Sequence, residues 1–521
     1  MQTMKRRQFI KAAGTAVSVP LLLNGMRVSA MPRSFLSRIV NPESDRVLVL
    51  IQLNGGNDGL NMVVPLDQYD NLANVRGNII LPQNSILSVE DTVGLHPVMT
   101  GVRALYDEGK MGIVQSVGYP NQNRSHFRST DIWTSGSPAE EVWTTGWLGR
   151  YFETLHPSYP DNYPNGDYPD PFAITMGSIV SETCQGTASN FSLTLNDPFS
   201  LAPLTEGSPS DLPDTPYGEE LAFLRLSISQ ANQYGDVITD AAQNGSNLAA
   251  YPADNRLAQQ LKNVALLISG GLQTKVYVVS LGGFDTHANQ VQQGDVTLGD
   301  HAELLQQLSN AVAVFQSDLQ MLGLDQRVVC MTFSEFGRRI RSNDSFGTDH
   351  GTAAPLLLFG SCVNPAILGD TPEISADVSI DEGVPMQHDF RDVYGSLLMD
   401  WFEVGEDDVR SLLYNDFQYL PLLLNCTATS TRPEPKEEAV VMNAYPNPCS
   451  NWTTISFTSA DEWAKLSLFD SIGNELRVVT NQRLSAGEHK IQVDLHGLPP
   501  GTYFFRLQLQ GRQKTKRVVK N

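Results

Sequence analysis

Basic residues and patterned cysteines are what this chain is short of. Against 57 Asp and Glu its 521 residues carry 36 Lys and Arg, a formal charge of −21. An acidic surface repels phosphate backbones and lacks the cations to neutralise them, which argues against a nucleic-acid partner. The five cysteines, Cys184, Cys330, Cys362, Cys426 and Cys449, show no Cys-x-x-Cys spacing. Neither a zinc knuckle nor a dense disulfide framework is therefore expected, and the odd number leaves at least one thiol unpaired within the chain. No apolar run reaches the roughly 20 residues of a spanning helix, so the mature chain is expected to lack one. The remaining composition is that of a globular protein long enough for one large core and a smaller domain.

The first residues hold Lys5-Arg6-Arg7-Gln8-Phe9-Ile10-Lys11, a modest apolar stretch from Ala12 to Leu23, and Val28-Ser29-Ala30 as a cleavage site. Residues 1–30 read as a twin-arginine export signal, with an N-terminal anchor as the alternative. The run Arg46 to Leu53 is then nearly continuously apolar, as in a strand buried on both faces of a parallel sheet. Similar runs recur at Gly112 to Gln115, Val276 to Leu281, Val328 to Phe333 and Pro355 to Phe359, with helical spacing over Leu257 to Leu267 and Glu303 to Leu322. This alternation predicts an α/β sandwich with a mainly parallel central sheet over residues 45–425, whose ligands gather at the carboxyl ends of strands. The Pro-rich stretch 151–216 is expected to be an irregular insertion, either a wall or lid of the substrate site or a surface loop. After a polar linker at 426–440, residues 441–521 alternate with a two-residue period, as in a small antiparallel β-sandwich.

Strand ends carry the chemistry. Asp58 lies in the turn Asn54-Gly55-Gly56-Asn57-Asp58-Gly59 and reads either as a hard-oxygen metal ligand or as a turn residue. Ser125, ahead of a helical stretch, is a candidate nucleophile or a helix cap. His126 beside it is a candidate ligand or proton carrier, and Arg124 and Arg128 are candidate oxyanion clamps or solvated cations. Asp285-Thr286-His287 can bring a carboxylate and an imidazole to one ion. Glu335 is a candidate catalytic carboxylate or the partner of Arg338 in a structural ion pair. Asp349-His350-Gly351 offers an oxygen and a nitrogen ligand before a glycine that permits close backbone approach, and His388 lies downstream.

The strings Leu53 to Gly59, Arg124-Ser125-His126-Phe127, Gly283 to His287, Ser334 to Arg338 and Asp349 to Thr352 together resemble domain-of-unknown-function family 1501, and their order is similar to the alkaline phosphatase and sulfatase superfamily. That resemblance implies an alkaline-phosphatase-like fold with two divalent ions, Zn, Mg or Ca. Asp285, His287 and His388 would hold one ion, Asp58, Asp349 and His350 the other, with Ser125 between them. No Cys-x-Pro-x-Arg is present to form a sulfatase formylglycine. Ala444-Tyr445-Pro446-Asn447-Pro448, Leu468 to Gly473 and Leu498 to Tyr503 resemble the C-terminal sorting domain of the type IX secretion system. The expected function is an exported metal-dependent hydrolase of phosphate or sulfate esters. Its substrate would be a small molecule or glycan, its partners the export and type IX machinery, and its location the outer surface or medium. The alternative is a non-catalytic surface protein that keeps the fold to bind a ligand or glycan.

Overall fold

The first long apolar run becomes a strand whose two faces seed two separate cores. In the computed structural model, which describes residues 45–201, 215–424, 442–459, 462–470, 475–509 and 512–521, Val47, Val49, Ile51 and Leu53 join one apolar cluster and Leu48 and Leu50 the other. Successive side chains of a strand point to opposite faces, so a run that is apolar throughout fits only a sheet covered on both sides. Val47 through Ile51 are at most 1% exposed, and burying each such side chain contributes about 1.5–3 kcal/mol.

That strand, β1 (Val47–Asn54), lies inside a nine-stranded sheet. Its companions in chain order are β2 (Met111–Gly118), β3 (Ala173–Met176), β4 (Ser192–Leu195), β5 (Val276–Gly282) and β6 (Val328–Phe333). Next in the chain is a two-stranded antiparallel hairpin, β7 (Arg338–Ser342) with β8 (Thr348–His350). Then come β9 (Ala354–Phe359), β10 (Ile367–Leu368) and β11 (His388–Asp389). The sheet order is β10-β2-β9-β6-β1-β5-β3-β4, with β11 also paired to β2. Of these strands only β9 runs antiparallel to its neighbours, so the sheet is mainly parallel.

Helices cover both faces. On one side α1 (Thr100–Asp107), and later α4 (Arg256–Ser269) and α5 (Asp300–Met321), pack through Val102, Leu261 and Phe315. On the other, α2 (His126–Ser135), α3 (Trp147–Leu155) and α6 (Phe390–Phe402) pack through Trp133, Trp147 and Tyr394. Because β1, β2, β5 and β6 share one direction, the segments that come after them emerge along one edge. The strand β9 enters from that same edge, which returns the β7–β8 hairpin to it.

The stretch 151–216 differs from its expectation. It contributes β3 and β4 to the sheet, and Tyr159, Tyr163, Tyr168, Phe172 and Phe191 pack into one aromatic group. Each strand has only four residues, and the surrounding prolines and glycines hid them from the pattern. Residues 202–214 of that stretch lie outside the described residues, as do the export signal at 1–30 and the linker at 426–440.

The chain divides into two compact units, residues 1–430 and 431–521. The second consists of two antiparallel sheets. One joins Met442–Tyr445, Trp452–Ser459 and Gly487–Asp494; the other joins Glu475–Leu484, Glu462–Phe469, Gly501–Leu509 and Arg512–Lys520. Ile455, Phe457, Leu466, Leu468, Val493, Phe505 and Leu507 fill its core. Among the described residues no helix is long and apolar enough to cross a membrane. Cys184, Cys330 and Cys449 are free thiols, all buried.

Candidate metal centre

Three histidines and one aspartate converge at the shared edge. Asp285 and His287 come from the loop after β5, His126 opens α2 beyond β2, and His350 ends β8. Ligand atoms of His126, Asp285 and His350 lie within 4.8 Å of one another, close enough to hold one metal ion. Asp285 Oδ1 stands 3.1 Å from His350 Nε2 and 3.2 Å from His287 Nε2, and Asp285 Oδ2 stands 3.4 Å from His126 Nε2. His287 Nε2 and His350 Nε2 are 2.9 Å apart.

The other nitrogen of each ring is held by an acceptor. His126 Nδ1 donates to Glu335 Oε1 at 2.8 Å, His287 Nδ1 to Asp349 Oδ1 at 2.8 Å, and His350 Nδ1 to the Arg124 carbonyl at 2.9 Å. An acceptor on Nδ1 fixes the proton there and leaves the Nε2 lone pair free, which is how metal-ligating imidazoles are oriented. His126 Nε2 is buried and has no hydrogen-bond partner. Nitrogen lone pairs aimed at a shared carboxylate fit a divalent cation, and a nitrogen-rich donor set suits Zn²⁺-type ions better than Mg²⁺ or Ca²⁺, which take oxygens.

Local sequence explains the convergence. Gly55, at φ +124°, lies so close to the Asp285 loop that an added Cβ would sit 2.4 Å from Asp285 N. Only glycine adopts that backbone and admits that contact. Gly351 plays the same part on the hairpin, where a Cβ would lie 2.1 Å from the Arg338 carbonyl carbon. Arg338, 1% exposed, ties the pieces together. It donates to the carbonyls of Gly55, Gly56, Phe284 and Thr348 and, at 2.7 Å, to Asp285 Oδ1. Glu335 is likewise 1% exposed and accepts from the Gly55 N–H at 2.9 Å. The Ser129 hydroxyl donates to the Glu335 carbonyl and so docks α2 against this loop. The Phe336 ring packs against His126 and His350.

Electrostatics favour the ligating forms. Burial raises the Asp285 pKa, but the hydrogen bond and charge of Arg338, with the His350 ring at 3.1 Å, outweigh it and bring it to about 2. Asp349 is lowered too, with burial opposed by the hydrogen bonds from His287 and Asn343. His350 is held below the ordinary imidazole value, chiefly by burial, which keeps its ring neutral.

Three of the sequence-nominated residues fall elsewhere. Asp58 is fully buried, with Arg76 Nη1 at 3.1 and 2.9 Å from its two oxygens and Gln290 Nε2 donating to Oδ2 at 2.5 Å. Both of its oxygens are thus engaged, and it stands outside the group of convergent ligand atoms. It is tied to the site through Gln290, whose Oε1 accepts from Thr286, between Asp285 and His287, and from Thr348, beside Asp349. His388 pairs with Val117 on the outer side of β2. Its ring lies beside Gly369 and feels the charge of Asp392, and it stands outside the group of convergent ligand atoms, so it does not meet Asp285 and His287. Arg128 binds Asp131 and the carbonyls of Pro138, Ala139 and Glu141, which commits its guanidinium to that loop. The Glu335–Arg338 pair is replaced by Glu335–His126 and Arg338–Asp285. Ser125 is exposed at the N-cap of α2, and its hydroxyl makes no capping bond. Sequence reasoning passed over Asp381, which pairs with Arg339 at 3.0 Å, since nothing along the chain sets that exposed turn carboxylate apart.

An α/β sandwich with a histidine–carboxylate cluster at the carboxyl edge of its parallel strands is the class the fold and site define. Over residues 45–400 the chain matches the model of a family described as protein of unknown function, DUF1501, and it belongs to that family. Residues 443–521 match the secretion system C-terminal sorting domain, the mark of type IX secretion to the cell surface or medium. No curated protein matches the chain. Among solved structures it is similar to a protein in the alkaline phosphatase superfamily from Vibrio parahaemolyticus, at 10% identity and TM-score 0.30, covering 85% of this chain and 82% of that one. It is also similar to the PsFucS1 sulfatase from Pseudoalteromonas sp., at 10% identity and TM-score 0.33, covering 89% of both chains. The alkaline phosphatase from the Antarctic bacterium TAB5 shares 10% identity at TM-score 0.25, covering 61% of this chain and 91% of that one. Likeness this remote leaves the function to be argued from the site.

Proposed function

We propose that the chain is a metal-dependent hydrolase of an anionic ester, a phosphate or sulfate, exported by a twin-arginine signal at 1–30 and released or displayed through its sorting domain at 441–521. The observation that carries this reading is the convergence of the His126, His287 and His350 Nε2 atoms on Asp285, with every Nδ1 held by an acceptor. A divalent cation of Zn²⁺ type, held at Asp285 and His350 with His126 and His287 as the further donors, would neutralise ester oxygens and act as a Lewis acid.

The chain's own residues then divide the work. Asp349, Glu335 and the Arg124 carbonyl orient the imidazoles. Arg338 holds Asp285 ionised and in place. Ser125, one residue before His126 and free of a capping bond, is the nucleophile. Its oxygen bonds to the ester's phosphorus or sulfur, the alcohol leaves with the serine proton, and water then releases phosphate or sulfate. The unpaired N–H groups of the first turn of α2 favour the anion beside it.

Metal content of the purified full chain, together with hydrolysis of an aryl phosphate and an aryl sulfate, tests the reading. About one transition-metal ion per chain and hydrolysis that both disappear in His350→Ala are expected. A well-folded chain that takes up no metal and turns over neither ester would instead be a surface binding protein.

A further inference from the structure

A second group of charges stands beside the imidazole cluster, and its role as a substrate contact rests on the hydrolase reading of that cluster. Arg339, on β7, extends Nη1 to Asp349 Oδ2 at 3.4 Å and Nη2 to Asp381 Oδ1 at 3.0 Å. Its Nε is buried and has no hydrogen-bond partner. Arg124 is anchored to the site by its own carbonyl, which accepts from His350 Nδ1. The half-buried guanidinium of Arg124 makes no hydrogen bond or ion pair among the described residues. It feels repulsion from Arg339 and attraction from Asp381.

A half-buried guanidinium without a partner, repelled in addition by a second one, raises the free energy of the free protein, and an anion that bonds both offsets that cost through charge-assisted hydrogen bonds. Asp381 is an acidic group that acts on both. It sits in the turn 379–382, where Ser379 N donates to Glu382 Oε2 at 3.0 Å and Ile340 N to the Glu382 carbonyl at 3.0 Å. The backbone of the turn is thereby fixed, but the Asp381 side chain is 72% exposed. An ion pair so exposed is weak, and the carboxylate can turn to water at little cost.

We propose that Arg124 and Arg339 form an anion subsite for the oxyanion group of the substrate, and that the Asp381 carboxylate fills this subsite in the free protein until substrate displaces it. The arrangement selects a tetrahedral oxyanion over a neutral ester and makes affinity depend on a competition inside the chain. Arg339 also links the subsite to the metal centre, since its other contact is the carboxylate that orients His287.

Calorimetric titration of inorganic phosphate and of sulfate into the full chain, as purified and after chelation, tests this. Asp381→Asn is expected to tighten binding of inorganic phosphate by about two- to fivefold, while Asp377→Asn, an exposed acid outside the pair, leaves it unchanged. Arg124→Gln and Arg339→Gln are expected to weaken it by about tenfold or more with or without metal. Arginine-dependent binding that survives in a chain without metal or hydrolysis leaves the subsite standing and removes only the hydrolase reading. Binding that Asp381→Asn fails to tighten, or that Arg124→Gln leaves intact in a chain of native circular dichroism, overturns the subsite, as does the absence of binding in both the native chain and Asp381→Asn.

Discussion

His287 and His350 meet Nε2 to Nε2 across 2.9 Å. Both rings carry their proton on Nδ1, where Asp349 and the Arg124 carbonyl accept it. The facing atoms are therefore two lone pairs, which repel unless a proton or a cation lies between them. Burial lowers the His350 pKa and so disfavours the proton. A cation is the occupant that agrees with both the spacing and the pinned tautomers.

Asp349 orients His287 but is not itself required to touch the ion, so its removal separates orientation from ligation. Asp349→Asn is expected to lower metal affinity by about 10- to 100-fold, while His350→Ala abolishes stoichiometric binding. Competition with a chromophoric chelator measures both. Equal affinity in Asp349→Asn and the native chain would mean that the carboxylate plays no part in holding the ring.

Asp58 and Arg76 test the opposite assignment. Both side chains are fully buried, and removing one partner of such a pair leaves an uncompensated charge that costs about 3–5 kcal/mol. Arg76→Ala is expected to lose that much in urea unfolding, and the double variant Asp58→Leu/Arg76→Met markedly less. Asp58→Asn, if it folds, is expected to keep its metal content. Loss of the ion from a folded Asp58→Asn chain would return Asp58 to the ligand set.

These two residues also show where a sequence stops being legible. The long buried strands could be read because a strand covered on both faces must be apolar at nearly every position, as Val47 to Ile51 are. The strings at strand ends could be read because Asp285, His287, Asp349 and His350 sit directly after such runs or beside glycines. What a carboxylate meets in space could not. Arg76 is 18 residues from Asp58, Gln290 is 232 residues away, and neither adjoins a site string. His388 shares the strand-end pattern of the ligands, yet the strand it opens pairs on the outer side of β2, and sheet order is not written in a local pattern. The exchange of partners between Glu335 and Arg338 has the same origin, since each side chain points to a loop contributed by a distant strand.

Buried His301 gives the fold a pH dependence. Its pKa falls from 6.5 to about 4, mainly through burial, with Arg338 and Arg76 acting in the same direction and Asp58 against them. Neighbouring His96 is also lowered, to about 3. As pH drops through 6.5 the unfolded chain takes up a proton on His301 that the folded chain refuses until about pH 4. The unfolded state holds more protons in that window, so stability declines with falling pH, by on the order of 3 kcal/mol for this group. Urea midpoints at pH 7 and pH 5 should show the decline, and His301→Gln, which keeps a donor for Asn57 Oδ1, should flatten it. An unchanged slope in the variant would place the pH dependence elsewhere.

Ser125 allows a separation of structure from chemistry, because the hydroxyl at the N-cap of α2 does not cap the helix. A capping serine replaced by alanine costs about 0.5–2 kcal/mol; here the expected change in urea stability is smaller than that range, since no capping bond is lost. In the proposed role of nucleophile Ser125 would supply the oxygen that bonds to the ester, and Ser125→Ala is then expected to lower kcat/KM on an aryl phosphate or sulfate by at least about a thousandfold. Metal content should not move, since His126, His287, His350 and Asp285 remain. Ser125→Cys would retain partial activity if the position delivers a nucleophile and none if the hydroxyl only hydrogen-bonds. A Ser125→Ala chain with full metal and a rate within about twofold of the native one would show that water, not this serine, attacks the ester.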